Sequence, residues 1–297
     1  MSEPIAYLNG QFVPYREAKL PVFDVGIVQG ATVTERLRTA AQRPIQVREH
    51  LDRLEQSMDL VGWSDLPSRS ELTSAITRVT ELNAALLSAD QELAIVLFVT
   101  GGPFLLDAFG LAELPAGLTC CVYAVPLPQE SWEPLFREGI HLYTSQVRAP
   151  GPDCIDSRIK HRSRLFWYMA DRQIRARDPL GMALLQDGEG RLTETSSSNL
   201  FIVQSGRLYT PSRSRTLPGI MQKTVMDVAT GLDLTVHQTD VTIEQLQEAD
   251  EAFLTSSTFV VMPATQFNGQ MIGAGVPGEL TTQLLGKTRE FLGIPRT

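Results

Sequence analysis

Cysteine is scarce in this chain: Cys120, Cys121 and Cys154 are the only three in 297 residues, too few for a disulfide framework. Cys120 and Cys121 fall in an apolar run that reads as a strand, where neighbouring side chains face opposite ways, which argues against a vicinal bond or a shared metal. Long apolar runs are missing too. No uninterrupted stretch could span a bilayer, and Met1 to Tyr7 carry neither the basic nor the apolar block of a secretion signal. Positive charge is in deficit, with 26 Lys and Arg against 34 Asp and Glu and a net charge of −8. A bulk polyanion is bound by clustered cations, so nucleic acid is not an expected partner. No repeat period or low-complexity tract occurs either. These absences lead to the expectation of a soluble, cytoplasmic protein with no membrane and no metal.

What is present is an ordinary globular composition, 43% apolar, in a chain long enough for two domains. Asn9-Gly10 between alternating residues predicts an opening β-hairpin. Helical spacing runs through His50-Leu51-Leu54-Met58-Val61 and again from Leu72 to Leu87, while Leu93–Val99 and Leu118–Val125 read as strands with a loop between Gly101 and Gly117. Pro126 and Pro128 disfavour both helix and central strand, so a linker is expected at 126–132, separating a small N-terminal α/β domain (1–125) from a larger C-terminal domain (133–297). Beyond it, strands are expected at Ile140–Val147, Met182–Gln186 and Ala252–Thr255. Helices are expected over Ser163–Arg177, from about Gly219, over Ile243–Glu248 and over Leu280–Leu292.

Three segments carry chemistry. Lys160 precedes a helix and offers a nucleophilic amine; the plain alternative is a solvated lysine, or one member of a basic patch with His161, Arg162 and Arg164 that holds an anion. Glu194 sits in the hydroxyl-rich run Thr193-Glu194-Thr195-Ser196-Ser197-Ser198-Asn199, and a carboxylate there can keep a pyridine nitrogen protonated. Gly219-Ile220-Met221, after Pro218, opens a helix whose free N–H groups suit a phosphate, and Ser256 and Ser257 can add hydroxyl donors to it. Each signal has a bland alternative as a strand end or helix start. Amine, carboxylate and phosphate cup in this order point to pyridoxal 5'-phosphate.

With those residues in view, the chain resembles the class IV aminotransferases, the pyridoxal-phosphate enzymes of fold type IV, which include branched-chain and D-amino-acid aminotransferases and aminodeoxychorismate lyase. Asn9-Gly10, Glu49-His50-Leu51-Asp52-Arg53-Leu54, Ile159-Lys160-His161, Thr193–Phe201, Leu217–Met221 and Thr255-Ser256-Ser257 carry the resemblance. It implies a two-domain α/β fold, α+β within each half, with the cofactor in the interdomain cleft, and a homodimer. By position it makes Lys160 the Schiff-base lysine and proton shuttle, Glu194 the partner of the ring nitrogen, and Arg53 the phosphate cation rather than a surface partner of Glu49. Ile220, Met221, Ser256 and Ser257 complete the phosphate site, while Ser198 and Asn199 shape the loop beneath the ring.

Two departures bear on substrate. Where relatives place an aromatic before a glutamate on an early strand, this chain has Thr34; where many carry a carboxylate-binding arginine after the apolar strand, it has Gly101. A guanidinium lost there removes a bidentate carboxylate partner. Arg158, Arg148, Arg162, Arg164, Arg213 and Arg215 are the candidates to replace it, and Thr34, Gly101 and Arg158 are taken as the substrate pocket. The expected reaction is transfer of an amino group from an amino acid or amine to an oxo acid. The alternatives are β-elimination of the aminodeoxychorismate type, releasing pyruvate, and a catalytically degenerate cofactor-binding protein.

Overall fold

The computed structural model describes residues 3–65, 67–104 and 117–295. The chain divides into two compact units: Met1–Leu127 with Ile159–Ser163, and Pro128–Arg158 with Arg164–Thr297. The short return of Ile159–Ser163 to the first unit is a departure from the expected boundary, and it carries Lys160 with it.

In the first unit the strands β1 (Ile5–Leu8), β2 (Gln11–Pro14), β3 (Thr32–Ala40), β4 (Arg43–Pro44), β5 (Leu93–Thr100) and β6 (Thr119–Pro126) form an antiparallel sheet in the order β2-β1-β6-β5-β3-β4. Asn9 (φ 47°) and Gly10 (φ 87°) supply the two positive angles of the tight hairpin between β1 and β2. The one-turn helix α1 (Val25–Val28) is capped by Asp24, which is buried and fully engaged. Its Oδ1 accepts from Gly26 N at 2.7 Å, and its Oδ2 accepts from the Thr100 and Thr119 hydroxyls at 2.9 and 3.2 Å. Helices α2 (Val47–Val61) and α3 (Arg69–Ala84) cover one face. Leu51, Leu54 and Met58 of α2 meet Leu72, Ile76 and Val79 of α3 and Leu37, Ile95, Leu97 and Val122 of the sheet. Burying each such side chain contributes about 1.5–3 kcal/mol. Gly62 (φ 74°) ends α2 in the left-handed conformation, its N–H and that of Trp63 returning to the last carbonyls. The loop expected between Gly101 and Gly117 lies mostly outside the described residues.

The second unit begins with α4 (Gln129–Glu138), not a linker: Pro126 closes β6, and Pro128 stands at the helix N-cap, where a missing N–H does no harm. It contains β7 (Ile140–Arg148), α5 (Leu165–Arg175), β8 (Gly181–Gln186), β9 (Leu192–Thr195), β10 (Asn199–Gln204), β11 (Arg207–Pro211), α6 (Ile220–Thr230), β12 (Val236–Thr239), α7 (Ile243–Gln247), β13 (Glu251–Ser256), β14 (Val260–Phe267), β15 (Gln270–Met271) and α8 (Glu279–Phe291). The sheet order is β12-β11-β10-β13-β14-β7-β8-β9, and β9 also pairs with β10 through Glu194 and Asn199. Strands β10, β13, β14, β7, β8 and β9 therefore close on themselves, with Leu142, Leu184, Leu200, Ile202, Leu254 and Met262 in one buried cluster.

Candidate functional site

Lys160 is fixed through its backbone. Its carbonyl accepts from Thr34 N at 2.8 Å, its N–H donates to Ser57 Oγ of α2 at 3.1 Å, and Arg162 N donates to the Thr32 carbonyl at 2.9 Å. Residues 160–162 thus run as an extra antiparallel partner of β3 centred on Val33 and His161. Side chains alternate along such a ladder. Ile159 packs on the core side with Val33, so Lys160 and Arg162 share the opposite face with Thr34. The lysine is half-buried, not a fully solvated side chain.

On the core side of the same strand lies a buried ionic cluster that sequence reasoning missed. Arg53 Nε and Nη2 of α2 donate to the Glu35 Oε1 and Oε2 of β3, each at 2.7 Å, and His50 Nδ1 meets Glu35 Oε2 at 2.7 Å. Burial alone would raise the Glu35 pKa, but the Arg53 charge and hydrogen bonds, with those of His50, hold it down to about 2. Burial lowers the His50 pKa, Glu35 opposes that shift, and the positive charges of Arg53 and Lys160 reinforce it. At neutral pH the arrangement is a neutral imidazole donating Nδ1–H to a carboxylate that also clamps one guanidinium. Arg53 is therefore not an exposed partner of Glu49, which pairs with Arg48 instead. The signal was present in the sequence: Glu35 has the strand parity of the core residues Val33 and Leu37, and His50 and Arg53 share the buried stripe of Leu51 and Leu54.

In the second unit Glu194 and Asn199 face each other across the β9–β10 seam. Asn199 Nδ2 donates to Glu194 Oε2 at 3.1 Å and to the Leu217 carbonyl at 2.9 Å, while Leu217 N donates to Glu194 Oε1 at 3.3 Å. These bonds tie the carboxylate to the segment leading into α6. Gly219, the α6 N-cap, has no room for a side chain: a Cβ there would stand 1.9 Å from Asn199 Oδ1. Gln222 Oε1 accepts from Gly219 N at 3.3 Å, and among the described residues no side chain caps the first-turn amides of Ile220 and Met221, which point out of the helix with the positive end of its dipole. Thr255 lies directly across from Asn199 and buries a hydroxyl that has no hydrogen-bond partner among the described residues. Next to it, Ser256 and the half-buried Ser257 open the turn into β14, and the Ser256 and Thr258 hydroxyls lie 3.1 Å apart. That turn ends at Val260 with φ 75°, a strained angle for a β-branched residue that its full burial maintains. The first-turn amides and the Thr255 hydroxyl can donate to a phosphate, Gly219 leaves room for it, and the Glu194 carboxylate can accept a ring N–H, so the groups present fit a phosphorylated pyridine.

The remaining expected residues are placed as follows. Ser198 is buried in the β9–β10 turn, where its hydroxyl takes a bond from Thr195 Oγ1 at 3.1 Å. Thr34 is buried and donates its hydroxyl to the Leu97 carbonyl at 2.9 Å. A side chain at Gly101 would begin 3.3 Å from Val25 and 3.4 Å from Trp63, so this glycine serves close packing. Arg158 is exposed and already paired with Asp156, through Nη2–Oδ2 at 2.6 Å and two Nε contacts. Arg215 is likewise held by Asp187, Asp240 and Glu189.

The class IV family model (Amino-transferase class IV) matches residues 32–267. The chain belongs to the class IV aminotransferase family. It is 30% identical over 289 residues to the putative branched-chain-amino-acid aminotransferase of Methanocaldococcus jannaschii, covering 96% of this chain and 95% of that one. It is 28% identical to the branched-chain-amino-acid aminotransferase-like protein 2 of Arabidopsis thaliana over 98% of its own length but 51% of the plant protein, so it spans about half of that relative. Among solved structures, a T.th. branched-chain amino acid aminotransferase with pyridoxamine 5'-phosphate is similar with a TM-score of 0.85 at 26% identity, over 99% of this chain and 95% of that one. The two-unit α/β architecture is that of fold type IV in this family.

Proposed function

We propose that the chain is a pyridoxal 5'-phosphate-dependent aminotransferase that moves an amino group from an amino acid or amine to an oxo acid. The observation that carries this reading is Lys160, half-buried and pinned at backbone level to β3 and α2. When bound, the cofactor supplies an electron sink for the electron pair released at the substrate carbon. Lys160 Nζ is the group that would hold the cofactor's aldehyde carbon and would carry the proton at the substrate's reacting carbon. Glu194, steadied by Asn199 and Leu217 N, would accept the ring N–H. The amides of Ile220 and Met221 and the Ser256 and Ser257 hydroxyls would hold the phosphate, with Gly219 leaving the backbone room to come close, and Arg53 would be its cation.

Borohydride reduction of the loaded protein followed by peptide mapping should place a phosphopyridoxyl mass on Lys160, and Lys160→Ala should lose both that mass and turnover. A Lys160→Ala protein that transaminates at the wild-type rate would sink the assignment. Pyruvate release from aminodeoxychorismate without an amino acceptor would instead support β-elimination. The same reading carries a homodimer and a cytoplasmic setting. Its support is the family and three cysteines that are all free, and light scattering on the purified chain tests the dimer.

A further inference from the structure

The aminotransferase reading leaves open what the substrate carries besides its amino group. Position 101 supplies no cation, and the arginines nearest Lys160 in sequence are not equivalent. Arg158 is taken by Asp156 and Arg215 by three carboxylates. Arg162 differs: its guanidinium lies 5.1 Å from the centre of the Phe98 ring, and no carboxylate pairs with it among the described residues.

The sheet register brings a second such group to the same place. Thr34 is directly across from Phe98, and Phe98 from Cys121; one row further, Arg36 is across from Val96, and Val96 from Tyr123. Side chains two apart on a strand share a face, so Arg36 is a diagonal neighbour of Phe98, within reach for a long side chain. Phe98 and Tyr123 touch edge to face at 6.4 Å between centroids. Arg38, the next residue on that face, is buried and donates Nε to the Thr39 carbonyl. Arg36, by contrast, reaches solvent and has no ion pair among the described residues. Surrounding protein nevertheless pulls its pKa below the ordinary guanidinium value, Tyr123 opposes that shift and Arg162 adds like-charge repulsion. Arg162 on the Phe98 ring and Arg36 one row along the same face, neither paired with a carboxylate among the described residues, present two guanidiniums suited to a carboxylate. Lys160 and Arg162, two residues apart, point to this same face.

Resting on the aminotransferase reading, we propose that Arg36 and Arg162, with the Tyr123 hydroxyl beside them, are the site for a substrate carboxylate, in place of the arginine absent at position 101, so that the substrates are amino and oxo acids rather than carboxylate-free amines. The test loads the full chain with pyridoxal 5'-phosphate and titrates it with succinate, a non-reacting carboxylate, and with succinamide, its neutral counterpart, by calorimetry. Wild type should bind succinate and not succinamide. Arg36→Met and Arg162→Met should each weaken succinate about 10- to 100-fold, the loss of a charge-assisted bond or two. Each should also raise KM for an oxo acid more than it lowers kcat, and Arg162→Lys should restore part of the affinity. Unchanged succinate affinity in both methionine variants, equal binding of succinamide, or a loss produced by Arg158→Met instead overturns the assignment. Calorimetry needs no turnover, so a wild-type protein that binds succinate through these arginines yet transfers no amino group defeats the aminotransferase reading and leaves the carboxylate site standing.

Discussion

At the scale of single residues, the candidate site depends on a few close approaches that tolerate no added atom. Gly219 is the clearest. Its φ of −69° suits any residue, so glycine is there for space: a methyl group would collide with Asn199 Oδ1, whose amide holds Glu194. Gly219→Ala should weaken pyridoxal phosphate binding by about tenfold or more, the equivalent of one charge-assisted hydrogen bond, with little change in helix content. Fluorescence titration of the cofactor beside far-UV circular dichroism checks this, and wild-type affinity in the alanine variant would show that the Gly219–Asn199 contact yields without consequence. Arg53 makes the complementary point. Its Nε and Nη2 already donate to Glu35, so what it offers a phosphate is a fixed donor direction more than a free charge.

At the scale of elements, β3 and α2 are joined by buried ionisable groups, and this makes their packing pH-dependent. His50 has a folded-state pKa below 6.5, so an unfolded chain takes up its proton first as pH falls. Its contribution is complete above about pH 6.5 and declines below it. Glu35, held down to about 2 from 4.5, contributes above pH 4.5 and loses that contribution as pH falls toward 2. A drop of that size in a fully buried carboxylate corresponds to on the order of 3 kcal/mol. The urea midpoint should therefore fall between pH 6.5 and 5, steepen in its fall below 4.5, and lose most of the first slope in His50→Gln. A midpoint that rises on acidification over the first window would contradict the neutral imidazole. Element scale also holds a strand that its own composition conceals. The run Val260–Phe267 contains Pro263, which argues against a central strand, yet β14 sits between β13 and β7. Pairing with β7 starts only at Ala264 and is irregular up to Gln266, so Pro263 is not asked for a donor on that side.

At the scale of the whole molecule, the net charge of −8 should dominate encounters with polyanions. The chain should pass through a heparin column at low salt without retention, despite Arg36 and Arg162, because two guanidiniums suit one carboxylate and not a phosphate lattice. Salt-sensitive retention would reopen nucleic acid as a partner. The division into two units likewise reaches beyond any one element: the first takes Ile159–Ser163 from the middle of the second's sequence. Lys160 and Glu194 thus belong to different units although both lie in the C-terminal half of the chain.

Short-range information was enough for much of this. Asn9-Gly10 dictates its turn through two positive φ angles, the stripes of α2, α3 and α6 follow from apolar spacing, and Lys160, Glu194 and Gly219 stand out as candidates by their order along the chain. Tertiary structure alone decided which residues meet: that 160–162 lies along β3, that Glu35 faces inward to His50 and Arg53, that Arg36 shares a face with Phe98 and Arg162, and that β9 closes onto β10. Turn angles and amphipathic stripes are set by neighbours a few residues apart. A strand's partner and register are set by burial and backbone hydrogen bonds between distant segments, which leave only their parity in the local sequence.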